Sequence, residues 1–175
     1  MQDNSLTQKI WRSLTTFQGI LSAILMIALP LIVLIQVLLR YVFKAPLMGI
    51  EEVMLFPTIW LYMVGGANAS MERNHISCGI LTLYIKSGKP MQIFNILKSL
   101  LSLLISLWLT YWAYGYCAYS LKSWKLSNLV EIPMFFAESA LFVGLILMTF
   151  YTGVELVDNI KIFLNGLQAS ERKVR

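Results

Sequence analysis

Histidine occurs once and cysteine twice in these 175 residues, and only 13% of them are charged. Each scarcity excludes something. Zinc and haem centres draw on several imidazoles or thiolates, so a lone His75 with Cys78 three residues on makes a poor metal or haem site. The cysteines, Cys78 and Cys117, are far apart and form no C-x-x-C pair. They read as small packing residues, not as a thiol-exchange couple or a disulfide framework. A soluble domain carries about 25% charged residues. Half that share does not furnish an ordinary water-facing surface. Neither an internal repeat nor a low-complexity segment is visible, and no cofactor is expected in this chain.

What is abundant is apolar. The hydrophobic fraction is 58% and the mean hydropathy +0.69. The net charge of +5 does not mark a nucleic-acid partner. The basic residues sit in short caps beside apolar runs, which is the pattern of a protein whose partner is the lipid bilayer. Four charge-poor runs follow one another: Ser13 to Leu39, Val53 to Met71, Ser99 to Leu121 and Ile132 to Val154, the last containing Glu138. A span needs about 20 apolar residues, so each run suffices and the first is long enough to tilt. That first run is too long for a signal-peptide core and lacks a small-residue cleavage site at its far end, so it is expected to be retained. Pro30 should kink it. Pro90 suits a first helical position and extends the third run backwards.

The expected fold is an all-α membrane protein: four tilted transmembrane helices plus short amphipathic surface helices, in a single membrane domain over 1–175. The spans fall at about 14–39, 51–71, 91–120 and 133–157. A surface helix is expected at about 76–85, where Ile76, Ile80, Leu81 and Tyr84 recur at helical spacing. The tail after the last span continues amphipathically through Ile160, Ile162, Phe163 and Leu167, and ends in a basic cluster over 168–175. Orientation follows from lysines and arginines. Ten (Lys9, Arg12, Arg73, Lys86, Lys89, Lys98, Lys161, Arg172, Lys173, Arg175) lie on one side, against four (Arg40, Lys44, Lys122, Lys125) on the other. The excess places both termini in the cytoplasm.

Within this apolar chain the polar residues carry the specificity. Glu51 and Glu52 are adjacent, so on a helix they point about 100° apart and cannot share one partner. Charge at the start of the second span suits the helix dipole and accounts for one of them. The other needs a partner or water. Arg40 lies on the same side, as does Glu138, and an outer ion pair of Arg40 with one of Glu51, Glu52 or Glu138 is expected, tying helix ends or docking a second protein. No nucleophile or metal set accompanies the carboxylates, so the chain is not read as an enzyme. Only Glu138 stands inside an apolar run, too little for a proton relay. Gly65 with Ala69 and Gly66 with Ser70 are small pairs one turn apart, which admit another helix closely. His75 is expected to cap or hydrogen-bond at the cytoplasmic end of the second span.

The order of these features resembles the small, DctQ-type membrane subunit of tripartite ATP-independent periplasmic (TRAP) transporters. The residues that carry the resemblance are Arg40-Tyr41-Val42-Phe43 closing the first span, Ala45-Pro46-Leu47, Glu51-Glu52, Trp60, Gly65-Gly66, Ala69 and His75-Ile76. Two positions depart from the family pattern. Gly49 stands where tryptophan is usual, and Ser77-Cys78-Gly79 follows the histidine in place of an acidic residue. The resemblance implies a non-catalytic scaffold subunit in the bacterial inner membrane. It would pack beside a large, DctM-type elevator subunit that carries the sodium and substrate sites. A soluble periplasmic binding protein would deliver an organic acid: a carboxylate, a sialic acid or a sulfonate. Arg40, Phe43, Glu51, Glu52, Trp60, Gly65, Gly66, Ala69, Ser70 and Glu138 are then the candidate interface or docking residues. The chain lacks the broken, glycine-rich half-helices expected where a solute binds at the midplane. Two other readings carry less. A self-contained oligomeric transporter has only Glu138 for coupling, and a four-helix membrane oxidoreductase lacks its histidines or cysteine pairs.

Overall fold

The computed structural model describes residues 3–45, 48–72 and 89–172. Four helices run through them: α1 (Asp3–Tyr41), α2 (Ile50–Met71), α3 (Lys89–Ser123) and α4 (Phe135–Arg172). Long uninterrupted apolar runs make these helices, because a chain in lipid must bond its own backbone. Pro30 lies inside α1 and Pro57 inside α2, and both helices continue through them.

Among the described residues, three helical stretches are long and apolar enough to cross a membrane: Trp11–Tyr41, Pro90–Ser123 and Phe135–Asn165. The sequence suggested four, so α2 is a correction. Its 22 residues include Thr58, Gly65, Gly66, Asn68 and Ser70, which dilute its hydropathy. The amphipathic tail is a second correction. Ile160, Ile162 and Phe163 form no separate surface helix but continue α4, which runs unbroken to Arg172. No proline interrupts that stretch, so nothing forces the helix to stop. The surface helix expected at 76–85, and His75 with it, lie outside the described residues.

The helices stand in an open row. α4 packs against both α3 and α2, and α1 packs chiefly on α2, giving the spatial order α1–α2–α4–α3. A row encloses little. The buried apolar residues are Val64 and Ala67 on α2, Ala113 on α3, and Ala137, Ala140 and Tyr151 on α4. Small side chains dominate because backbones that approach closely gain dispersion contacts over their whole length. The tightest point is Gly144 of α4, where a Cβ would lie 2.7 Å from Met63 Cβ and 3.3 Å from Met63 Cα on α2. Gly66 meets only the flexible end of Met148 on α4, its Cε and Sδ, which can move aside, and Gly65 faces open space.

Polar ties cross the row at intervals. At the end of the bundle holding the N-terminus, Tyr151 Oη donates to Gln18 Oε1 at 2.9 Å and Asn68 Nδ2 donates to Ser22 Oγ at 2.9 Å. Trp11 packs edge-on against Tyr151 with ring centres 5.3 Å apart. Thr110 and Thr149 join α3 to α4 through hydroxyls 2.9 Å apart. Back toward the N-terminal end, Asn159 Nδ2 donates to Ser99 Oγ at 2.8 Å. Away from these contacts the faces of α1 and α3 are open, with Phe17, Ile27, Trp108, Tyr111 and Trp112 all more than half exposed.

Candidate docking surface at the Glu51–Glu52 end

The end of the row opposite the N-terminus is built on the start of α2. Gly49 precedes that helix with φ 105°, a left-handed conformation that a side chain resists. The backbone N–H groups of Glu52 and Val53 both donate to Gly49 O at 3.0 Å, which turns the chain into the helix. A Cβ on Gly49 would also lie 2.9 Å from Val130 Cγ2. Glycine is therefore needed twice here, for the turn and for the loop that lies over it. This gives a physical reason for the residue that departs from the family pattern.

That loop joins α3 to α4. It doubles back on itself: Ser127 N donates to Ile132 O and Met134 N to Lys125 O, both at 2.9 Å. Trp124 (φ 42°) and Glu131 (φ 54°) adopt left-handed conformations at its two ends. Such residues cost backbone energy, so the loop depends on outside contacts to stay formed. Trp124 stacks on Phe135 with ring centres 6.0 Å apart. Glu52 supplies the main clamp. Its Oε2 accepts from the backbone N–H of Leu129 at 3.0 Å and of Val130 at 3.3 Å, and from Ser127 Oγ. Trp60 adds a second tie, donating from Nε1 to Phe136 O at 2.9 Å.

The structure brings Arg40, Glu51, Glu52 and Glu138 to one end of the row, but not into the expected pairing. Arg40, Gln36, Glu51 and Glu52 line one cavity of about 470 Å³. Glu52, Lys125, Ser127 and Glu138 line a neighbouring one of about 340 Å³. Among the described residues, however, Arg40 forms no ion pair with these carboxylates. Its guanidinium lies 5.8 Å from the Tyr41 ring centre. Each carboxylate is engaged by a different group: Glu51 accepts from Gln36 Nε2 at 3.3 Å, Glu52 holds the loop, and Glu138 accepts from Tyr116 Oη at 2.8 Å. A carboxylate accepting neutral donors in a preformed geometry has less to gain from a long, solvated arginine. Lys125 is likewise turned to an aromatic, with Nζ 5.3 Å from the Tyr119 ring centre.

The remaining candidates are scattered. Phe43 is exposed, as are Tyr41, Val42 and Met48, the last at the edge of the first charged cavity. Ser70 is buried in the α2 packing face at the other end of the helix. Ala69 lies next to it, half-buried. The structure adds residues that sequence reading passed over: Gln36, Ser127 and Gly144 here and along α2, and Gln18 with Tyr151 at the far end. One signal for two of them was present. Gln18 and Gln36 are 18 residues apart, about five full helical turns, so they share a face of α1. Both of those polar side chains face neighbours, which identifies the packed side of that helix.

The surface this creates carries both signs of charge at the mouth of a helix row, held by a clamped loop and with the exposed Met48 at its edge. Such a surface suits contact with another protein. The family described as the DctQ component of tripartite ATP-independent periplasmic transporters matches this chain over residues 29–162. No curated relative matches it.

Proposed function

The chain belongs to the DctQ family of tripartite ATP-independent periplasmic transporter components, and from that premise we propose that it is a non-catalytic scaffold subunit of a sodium-coupled TRAP transporter. It packs beside the large elevator-type subunit, which carries the sodium and substrate sites, in the bacterial inner membrane with both termini cytoplasmic. The transported solute is an organic acid delivered by a periplasmic binding protein. α2 packs between α1 and α4, with its Asn68 and Ser70 turned to packing faces where their polarity is tolerated.

The observation that carries this reading is the open row. An elevator works against a stationary frame, and an open row of helices presents unpartnered apolar faces on which a larger membrane protein can seat. α3 supplies such a face, with Leu104, Trp108 and Trp112 each more than half exposed. Co-expression with the neighbouring large membrane subunit, followed by gentle detergent extraction, tests it. The two chains should purify together. A chain that runs alone under those conditions removes the scaffold reading. Uptake should then require this chain.

A further inference from the structure

We infer that the outboard face of α1 carries a binding site for the headgroup of an anionic phospholipid, with its acyl chain running down the same helix. The inference rests on α1 crossing the bilayer, and not on which transporter it serves. Lys9, Arg12, Ser13, Thr16, Phe17 and Ile20 line a shallow groove of about 500 Å³. At about 100° per residue, these six fall within one side of the helix. The same stripe continues through Ile24, Ile27 and Leu31, all more than half exposed. Read from the N-terminus the stripe is cationic, then hydroxylated, then apolar. A phospholipid has that order: phosphate, then glycerol and ester oxygens, then hydrocarbon.

The packed side of α1 is identified independently. Gln18, Ser22 and Gln36 bond to α4 and α2, and Trp11 meets Tyr151. Their mean direction is about 180° from the stripe by the same helical arithmetic. The groove therefore faces away from the rest of the chain. Among the described residues no carboxylate lines it, so none of them neutralises its two cations. The chemistry it fits is a phosphodiester at the membrane surface, where basic side chains on the leaflet boundary attract anionic lipid. A zwitterionic headgroup would bring its own cation against Lys9 and Arg12.

The test uses the full chain in nanodiscs of equal phosphatidylglycerol and phosphatidylcholine, with retained lipid counted by native mass spectrometry. Wild type should retain phosphatidylglycerol in preference. The K9Q/R12Q pair should lose that preference by roughly tenfold or more. S13A/T16A keeps both charges and should lose a smaller, several-fold part. Lys161→Gln, a cation on α4 outside the groove, should leave it unchanged. Equal retention of the two lipids by wild type overturns the site, and so does a K9Q/R12Q pair that keeps the preference. A photocrosslinker at Phe17 that captures the large subunit instead of lipid overturns it as well, assigning the face to a protein. Alkaline extraction of the membranes separates the two levels. A wild-type chain released by it sinks the spanning reading, whereas an embedded chain without lipid preference sinks the headgroup site alone.

Discussion

Gly144→Ala is the substitution with the largest expected effect per added atom. Its new Cβ would stand 2.7 Å from Met63 Cβ and 3.3 Å from Met63 Cα. Ordinary carbon contacts begin near 3.5 Å, so α2 and α4 must separate by somewhat under about 1 Å at their crossing. Overpacking of this kind costs about 1–3 kcal/mol. Alanine's better helix propensity offsets up to about 1 kcal/mol of that, leaving a net loss of about 0–2 kcal/mol. Gly144→Leu has the same clash and no room for the branch, so it should exceed that range. The internal comparison removes the propensity ambiguity. Gly65→Ala gains the same propensity but meets nothing within 4 Å, and Gly66→Ala meets only the flexible end of Met148. Stability should therefore fall in the order Gly65→Ala, Gly66→Ala, Gly144→Ala. The assay is the thermal midpoint in one detergent, followed by loss of the monodisperse peak on size exclusion. Met63→Gly should partly rescue Gly144→Ala because it removes the opposing Cβ, while Met63→Ala, which keeps that atom, should not. A Gly144→Ala chain as stable as Gly65→Ala would refute the close crossing.

Other outcomes can be measured on the same preparations. Glu52→Ala should free the α3–α4 loop: amide exchange at Leu129 and Val130 should rise by roughly tenfold or more, with helical content unchanged. Glu51→Ala, which loses one long bond to Gln36, should leave that loop protected. Trp60→Phe keeps the ring but loses the donor to Phe136 O, and should cost about 0.5–1.5 kcal/mol. Tyr151→Phe leaves Gln18 Oε1 without its donor, in a side chain whose Nε2 is already buried and unbonded. Adding Gln18→Met to that variant should recover stability, since removing both partners is milder than stranding one.

Much of the architecture was legible because lipid leaves few alternatives. Runs such as Ser13 to Leu39 can only be helix, whereas α1, α3 and α4 continue past the charges that flank those runs. The reading was weaker for α2, whose polar and small residues look like dilution in a hydropathy average but are packing contacts in three dimensions. Periodicity also mis-ranked the glycines. Gly65 and Gly66 formed an evident small-residue pattern, yet the closest approach is at Gly144, which stands alone among bulky neighbours and is paired only by the opposing helix. Arg40, Glu51, Glu52 and Glu138 come together at one end of the row, but their bonding differs from the expected ion pair. Glu52 satisfies a loop whose shape depends on left-handed Trp124 and Glu131, neither of them a residue type that announces such a conformation.

The order of helices in space differs from their order in the chain, and this has a consequence for biosynthesis. α4 is made last and stands in the middle, between α2 and α3. During translation α1 and α2 can pair as soon as both have left the ribosome. α3 then enters the bilayer with no neighbour of its own until α4 follows it. The Glu52 clamp closes late too, because the loop it holds is shaped partly by bonds at Pro133 and Met134, at the threshold of α4. A nascent chain halted before Phe135 would therefore be an inserted but open intermediate, with α3 free to drift in lipid, and assembly would be completed by the last helix to arrive.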